Sequence, residues 1–124
     1  MDVLIVDDSV EVSTAYGQIL ERAGYMVKAV DNGLAAFAEL QQGRYAVILL
    51  DILMPFLEGK SFFRQLETDF PEMTKRVVFV TGMAGDDETR EFLDQTGQPL
   101  LQKPVDADQL VGAVRKMMGE GPNT

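Results

Sequence analysis

The stretch VLIVDD, residues 3–8, is a short apolar run that ends in two carboxylates. Its apolar residues are continuous rather than alternating, which is typical of a strand buried on both faces of a sheet. Similar runs rich in Val, Ile and Leu recur downstream. The sequence therefore predicts four further strands, at 26–30, 46–50, 77–80 and 99–101.

Segments with helical spacing of apolar residues separate these runs. Val12, Tyr16, Ile19 and Ala23 lie on one face of a helix predicted near 9–23. Comparable clusters predict four more helices: near 32–41 (Leu34, Phe37, Ala38), near 59–69 (Phe62, Phe63, Leu66, Phe70), near 86–95 (Phe92, Leu93), and a last helix that contains Leu110, Val111, Val114, Met117 and Met118.

Residues that begin or end helices agree with this division. Gly24, Gly43 and Gly97 each follow a helical stretch, where a left-handed C-cap is expected. Asp106 and Gln109 have the spacing of a capping box at the start of the last helix.

The order of these elements is strand-helix repeated five times, which predicts a parallel sheet with right-handed crossovers and helices on both faces. A chain of 124 residues suits one domain with one core. We assign residues 1–118 to that domain and residues 119–124 to a flexible tail or the stub of a linker.

Composition excludes several classes of function. The net charge of −9 disfavours direct binding to the phosphate backbone of nucleic acids. The chain has no cysteine or histidine, which excludes disulfides, the usual zinc sites and any triad with an imidazole base. No apolar run approaches the roughly 20 residues of a membrane helix. With no basic, apolar leader before Val3, we expect a cytoplasmic protein without membrane insertion.

Polar side chains follow the predicted strands, where ligands bind in open α/β sheets. These residues are Asp7-Asp8, Asp31-Asn32, Asp51, Thr81-Gly82 and Gln102-Lys103-Pro104. If the strand order is 2-1-3-4-5, Asp7, Asp8 and Asp51 converge at the switch point, with Thr81 and Lys103 on the far side. Strand two is then at the edge, so Asp31 is expected outside the site as a helix cap.

Three carboxylates in one small site repel one another, and a Mg²⁺ ion with oxygen ligands resolves the conflict. Together with Lys103 it makes the formal charge neutral, which suits an incoming phosphoryl group. Asp51, at the end of the central strand, is the natural nucleophile. Thr81 can donate a hydrogen bond to one phosphoryl oxygen and Lys103 can pair with another, which stabilises the transferring group electrostatically.

Over nearly its whole length the chain resembles the response-regulator receiver domain. The matching motifs are Val3-Leu4-Ile5-Val6-Asp7-Asp8-Ser9, Asp51-Ile52-Leu53-Met54-Pro55 with Gly59, Val80-Thr81-Gly82 and Lys103-Pro104. The resemblance implies a three-layer (βα)5 flavodoxin-like sandwich. It also implies a phosphoacceptor switch of a two-component phosphorelay, whose partners are a histidine kinase or histidine phosphotransfer domain and a downstream effector that the sequence does not name.

The same resemblance assigns roles to individual residues. Asp51 is the phosphorylation site. Asp8 is a direct Mg²⁺ ligand, Asp7 acts mainly through water, and the backbone carbonyl of Leu53 is a further ligand. A cis peptide bond is expected between Lys103 and Pro104.

Three positions depart from the family pattern. Leu100 stands where the family often has an aromatic switch residue. Leu53 and Met83 are apolar and cannot orient a hydrolytic water, so slow autodephosphorylation is expected. The segment 81–103 most resembles receivers attached to hybrid sensor kinases, so both a stand-alone regulator and an excised domain fit.

Other interpretations stay open on the residues alone. Asp7-Asp8 can be a turn with an N-cap. An aspartyl phosphatase would need a second acid where Leu53 stands, and a flavodoxin-like FMN site would need a phosphate-binding loop in place of Asp7-Asp8. A degenerate receiver would serve only for docking. Leu100 and the last helix can form an apolar patch for a partner or a homodimer.

Overall fold

The computed structural model describes residues 2–43, 45–52, 58–82 and 87–119. The chain forms strands β1 (Val3–Val6), β2 (Val27–Val30), β3 (Val47–Asp51), β4 (Val77–Thr81) and β5 (Leu100–Gln102). These alternate with helices α1 (Val10–Arg22), α2 (Gly33–Gln42), α3 (Glu58–Asp69), α4 (Asp87–Thr96) and α5 (Ala107–Met117). The predicted five-fold strand-helix repeat is confirmed, and each boundary that was predicted lies within one residue of the observed one.

The strands form one parallel sheet of order β2-β1-β3-β4-β5, as predicted. In register, Val6 pairs with Val30 on one side and Leu50 on the other. Asp51 pairs with Val80, and Thr81 pairs with Gln102. All five carboxyl ends therefore lie along one edge of the sheet.

Alternate residues of the strands build two cores, one on each face of the sheet. Leu4, Leu50 and Phe79 belong to the core that α2, α3 and α4 cover. Ile5 and Leu49 belong to the core that α1 and α5 cover. Because β1, β3 and β4 are buried on both sides, their sequences are continuous apolar runs, as predicted.

The edge strands differ from that expectation. The central residues of β2, Lys28 and Ala29, are exposed, and Leu100 of β5 is 38% exposed. An edge strand has a neighbour on one side only, so fewer of its side chains are covered.

The inner faces of two helices also differ from the predictions. On α1 the buried residues are Ser13, Tyr16, Gly17 and Leu20. The buried face is therefore turned around the helix axis, by nearly the angle of one residue, from the face that the apolar pattern indicated. On α2, Leu34 is 83% exposed. The buried residues there are Gly33, Ala36 and Leu40, and the first two are small enough to let the helix approach the sheet.

Two of the three glycine predictions are correct. Gly24 and Gly97 have positive φ angles of 99° and 70°. Gly43 has φ −168°, so α2 ends in extended backbone and the prediction of a left-handed cap was wrong. The capping box of Asp106 and Gln109 is present: the Gln109 backbone amide donates to Asp106 Oδ1 at 2.7 Å.

The connection from α3 to β4 contains a 3-10 helix, Pro71–Arg76, that the sequence did not predict. Beside it, Tyr45 donates a 2.7 Å hydrogen bond to Glu39.

No helix in the described ranges is long and apolar enough to cross a membrane. Apart from Gly119, the predicted tail lies outside the described residues.

Candidate metal centre

The carboxyl ends of β1 and β3 place two aspartates side by side. Val6 and Leu50 are partners in the parallel ladder, so Asp7 and Asp51, the next residue on each strand, stand level. Alternation puts both on the same face as Ile5 and Leu49, the face that α1 and α5 cover.

Asp8 completes a cluster of three carboxylates with Asp7 and Asp51. One oxygen from each lies within 4.8 Å of the other two. Asp7 and Asp51 are 3% and 5% exposed, whereas Asp8 is exposed. Two buried anions and one exposed anion need a compensating cation, because close like charges disfavour one another's ionised form.

Ser9 fixes the position of Asp7. The Ser9 amide donates to Asp7 Oδ1 at 2.8 Å, and the Ser9 hydroxyl accepts from the Val12 amide as the N-cap of α1. The interpretation of Asp7-Asp8 as an N-cap is therefore wrong, since Ser9 performs that task. This leaves Asp7 Oδ2 directed at Lys103.

Lys103 provides one positive charge to the cluster. Its Nζ lies 3.5 Å from Asp7 Oδ2 and 3.5 Å from Asp51 Oδ2. Its backbone amide donates to the Thr81 carbonyl at 2.8 Å, which ties the end of β5 to the end of β4. The bond between Lys103 and Pro104 is cis, as the family resemblance implied.

Thr81 is the last residue of β4 and is fully buried. Asp51 pairs with Val80, so Thr81 lies one residue beyond the level of Asp51, towards the carboxyl edge of the sheet. The structure thus brings Asp7, Asp8, Asp51 and Lys103 together and places Thr81 beside them.

Burial and charge shift two pKa values in this cluster. Burial raises the pKa of Asp7 and neighbouring Asp51 adds to the rise, while the Ser9 amide and Lys103 lower it; the net shift is upward. Burial lowers the pKa of Lys103, but the two carboxylates outweigh it and the net shift is upward. The site therefore keeps its lysine charged while its carboxylates repel one another.

The donor set is one that Mg²⁺ prefers, since all three candidate ligands are carboxylate oxygens. The fourth ligand expected from the sequence, the carbonyl of Leu53, lies outside the described residues, as does Met83. Asp8 is exposed, so the metal side of the cluster is open to solvent and to an incoming ligand.

Asp31 lies outside the cluster, as predicted, but it does not cap α2. Asn32 is the N-cap: its Oδ1 accepts from the Ala35 amide at 2.8 Å, and its Nδ2 donates to Asp31 Oδ1. The pair Asp-Asn offers two residues with equal preference for the cap position, so spacing alone did not separate them.

Known proteins share this sequence pattern and fold. The family model of the response regulator receiver domain matches residues 3–115. Protein PilH from Pseudomonas aeruginosa is 33% identical over 118 residues, which cover 94% of this chain and 96% of that protein. Transcriptional regulatory protein CrdR from Helicobacter pylori is 25% identical; the match covers 97% of this chain and spans only 56% of that longer protein.

Among solved structures, a receiver domain protein described as CheY-like, from Methanospirillum hungatei, superposes with a TM-score of 0.84. It is 27% identical and the match covers 96% of this chain and 94% of that one. The likeness extends over both cores and all five strands, not over the carboxylate cluster alone.

Proposed function

The chain belongs to the response regulator receiver domain family, the phosphoacceptor module of two-component signalling, and on that premise we propose that Asp51 accepts the phosphoryl group. The observation that supports this assignment is the position of Asp51. It is buried at the end of a central strand, within 4.8 Å of two further carboxylates and 3.5 Å from the Lys103 ammonium.

The proposed reaction moves a phosphoryl group from a phosphohistidine of a partner to an Asp51 carboxylate oxygen. The phosphorus–nitrogen bond breaks, a phosphorus–oxygen bond forms, and the donor imidazole retains the electron pair. Asp7, Asp8 and Asp51, with the Leu53 carbonyl, would hold Mg²⁺, which when bound offsets the negative charge of the phosphoryl oxygens.

Lys103 and Thr81 have separate proposed roles. Lys103 Nζ lies 3.5 Å from the acceptor carboxylate, so it can pair with a phosphoryl oxygen as the new bond forms. Thr81 closes the same edge of the sheet from β4 and would donate its hydroxyl to another phosphoryl oxygen. The Lys103 backbone amide donates a hydrogen bond to the Thr81 carbonyl, so we expect movement of either residue to be transmitted to the other.

The proposed output is a population shift at the face formed by α4, β5 and α5. Thr81 is the last residue before the connection to α4, and Lys103 is the first residue of the connection to α5. Leu100, in place of the usual aromatic residue, is 38% exposed on β5. We propose that this face contacts the effector, that a histidine kinase or phosphotransfer domain is the donor, and that the module acts in the cytoplasm, signalling rather than turning over small substrates.

Intact mass after incubation with acetyl phosphate and Mg²⁺ tests the acceptor assignment. We expect one phosphoryl mass gain in the wild type, and none with EDTA or in Asp51→Asn. Asp31→Asn is the matched control, because it removes a strand-end carboxylate outside the cluster, and it should be phosphorylated like the wild type. A mass gain in Asp51→Asn, or its loss in Asp31→Asn, would refute the assignment.

Slow loss of the phosphoryl group is the second part of the proposal. After removal of donor, intact mass should show that the wild type keeps its phosphoryl group longer than Leu53→Asn or Met83→Glu, since each variant carries a polar side chain that can orient water. Equal rates in all three proteins would show that these two positions do not set the lifetime.

A further inference from the structure

A groove of about 570 Å³ runs along the open edge of the sheet, apart from the carboxylate cluster except at Asp7. The edge strand β2 forms its floor, α1 borders it from one face of the sheet and α2 from the other. Its size is within the range of small-molecule sites. Small side chains leave this space open, namely Ser13, Ala29, Ala35 and Ala38.

Ser13 is the polar group that this groove leaves unsatisfied. The residue is 7% exposed, and its hydroxyl forms no hydrogen bond with any described residue. It lies one turn from Gly17, where an added Cβ would be 3.9 Å from the Val27 side chain of β2, so Ser13 stands on the stripe of α1 that faces the edge strand. The hydroxyl oxygen is covered by neighbouring atoms, so it reaches the groove only by rotation about the Ser13 χ1 bond, which breaks no hydrogen bond with a described residue. A buried hydroxyl without a partner costs free energy, and a ligand that donates a hydrogen bond to the rotated hydroxyl would recover it.

Besides Asp7, two carboxylates line the groove. Asp31 follows β2 at the carboxyl edge of the sheet and is exposed. Glu39 is half-buried on α2, six residues beyond Gly33, which corresponds to about 9 Å along the helix. Asp31 accepts a hydrogen bond from the Asn32 side chain, and Glu39 accepts one from the Tyr45 hydroxyl. A carboxylate has about four acceptor sites, so both retain capacity for a ligand.

The space between the two carboxylates is apolar except for Ser13, Thr14 and Lys28. Val10, Val30 and the alanines form its walls. Lys28 is the one lining residue with positive charge, and it forms no ion pair with a described residue. An apolar groove lined by two separated carboxylates and one hydroxyl is complementary to a short hydrocarbon chain that carries two ammonium groups.

We propose that this edge groove binds an aliphatic diamine. One ammonium group pairs with Asp31 and the other with Glu39, the methylene groups lie against Val30, Ala35 and Ala38, and Ser13 accepts a hydrogen bond from an ammonium.

Amide chemical shifts of the ¹⁵N-labelled chain test the proposal with 1,4-diaminobutane as the probe, in physiological salt and saturating Mg²⁺. The Mg²⁺ is added to fill the carboxylate cluster, so that the diamine causes shifts only at the groove. We expect saturable shifts at Ala29, Ala35 and Ala38, with weaker binding of the monocation 1-aminobutane.

Charge variants locate the site. Asp31→Asn and Glu39→Gln should each weaken diamine binding about two- to fivefold, as for partly exposed ion pairs. The amide oxygen of the Glu39→Gln variant can still accept from Tyr45, so the fold is preserved. Lys28→Met should strengthen binding, because it removes the opposing charge. Asp94→Asn makes an equal charge change at an exposed position of α4 and should have no effect.

Ser13→Leu should abolish binding by filling the groove, and the charge variants carry the test if that variant does not fold. The proposal is overturned if the shifts grow linearly without saturation, if 1-aminobutane binds as tightly, if Asp94→Asn weakens binding equally, or if only amides near Asp7, Asp8 and Asp51 respond.

Discussion

Asp51 combines two properties that oppose one another at the scale of a single residue. The proposed acceptor role requires a free carboxylate oxygen, yet Asp51 is 5% exposed and lies within 4.8 Å of two other carboxylates. Lys103 supplies an ammonium group 3.5 Å away, which offsets part of this repulsion. Function and stability therefore conflict here, as is common at active sites.

We predict that Asp51→Asn raises the stability of the metal-free protein. An amide of the same shape removes one of three repelling charges, which should add about 0.5–2 kcal/mol to the free energy of unfolding. Urea denaturation in EDTA measures the change, and the gain should shrink in saturating Mg²⁺ because the ion then offsets the repulsion. Asp94→Asn serves as control. A less stable Asp51→Asn protein in EDTA would show that the Lys103 pair outweighs the repulsion.

Tyr45 is a second residue with a measurable electrostatic signature. Burial, the hydrogen bond to Glu39 and the Glu39 charge together raise the pKa of Tyr45 to about 12, and burial is the largest of the three causes. The phenol is protonated in folded and unfolded chains below pH 10, so its contribution to stability is complete there. The contribution is lost as pH rises from about 10 through about 12.

Tyr45→Phe should therefore remove a phenolate absorbance step near pH 12 at about 295 nm and cost about 1 kcal/mol at neutral pH. The difference in unfolding free energy between wild type and variant should close above pH 10. Tyr25→Phe is the control at a second tyrosine, and this variant should keep the absorbance step near pH 12. If that step survives in Tyr45→Phe, another tyrosine has the shifted pKa.

Sequence reasoning located the charged residues of the site because each stands at the end of a predicted strand, and parallel strands end at one edge. It did not find Ser9 as the group that orients Asp7, nor Ser13 in the edge groove. Both are small polar residues on or beside α1, and an apolar pattern does not mark them. Their roles depend on where α1 meets the sheet, which only the packed structure defines.

At the scale of the element, the start of α2 offers a direct comparison of two neighbouring residues. Asn32 caps the helix by accepting a hydrogen bond from the Ala35 amide, whereas Asp31 accepts one from the Asn32 side chain. A lost N-cap leaves a helix amide without its partner.

We predict that Asn32→Ala lowers the free energy of unfolding by about 1 kcal/mol, while Asp31→Ala changes it by less than about 0.5 kcal/mol. Urea denaturation at neutral pH compares the two variants directly. Equal losses would mean that Asp31 takes over the cap when Asn32 is absent, and a larger loss for Asp31→Ala would contradict the assignment.

Elements with a strong repeat were predictable and weak ones were not. Strands β1, β3 and β4 are covered on both faces, so burial required continuous apolar sequence. The 3-10 helix Pro71–Arg76 has no buried residue and therefore no apolar pattern to reveal it. Gly43 shows the same limit, since a glycine after a helix permits a left-handed cap without requiring one.

At the scale of the whole molecule, the strand order determines the site. In the order β2-β1-β3-β4-β5, β1 and β3 are neighbours, which brings residues 44 positions apart in sequence, Asp7 and Asp51, level with each other. Lys103 then reaches them across β4. The sequence predicted this order as a condition for convergence, and the sheet confirms it.

A metal bound between β1 and β3 should stabilise the whole fold, because the unfolded chain does not hold the three carboxylates together. At a Mg²⁺ concentration about 100 times the dissociation constant, mass action adds roughly 2.7 kcal/mol. For a domain of this size that corresponds to a rise in Tm of roughly 10 °C. Thermal unfolding followed by circular dichroism against Mg²⁺ concentration measures the rise.

Asp8→Asn should lose most of that rise while its Tm in EDTA stays within a few degrees of the wild type, because Asp8 is exposed and its loss uncovers no core side chain. Asp94→Asn should retain the full rise. A wild type whose Tm does not respond to Mg²⁺ would argue against a metal site in the unphosphorylated protein. An equal loss in Asp94→Asn would reduce the effect to general screening of a chain with net charge −9, rather than binding between β1 and β3.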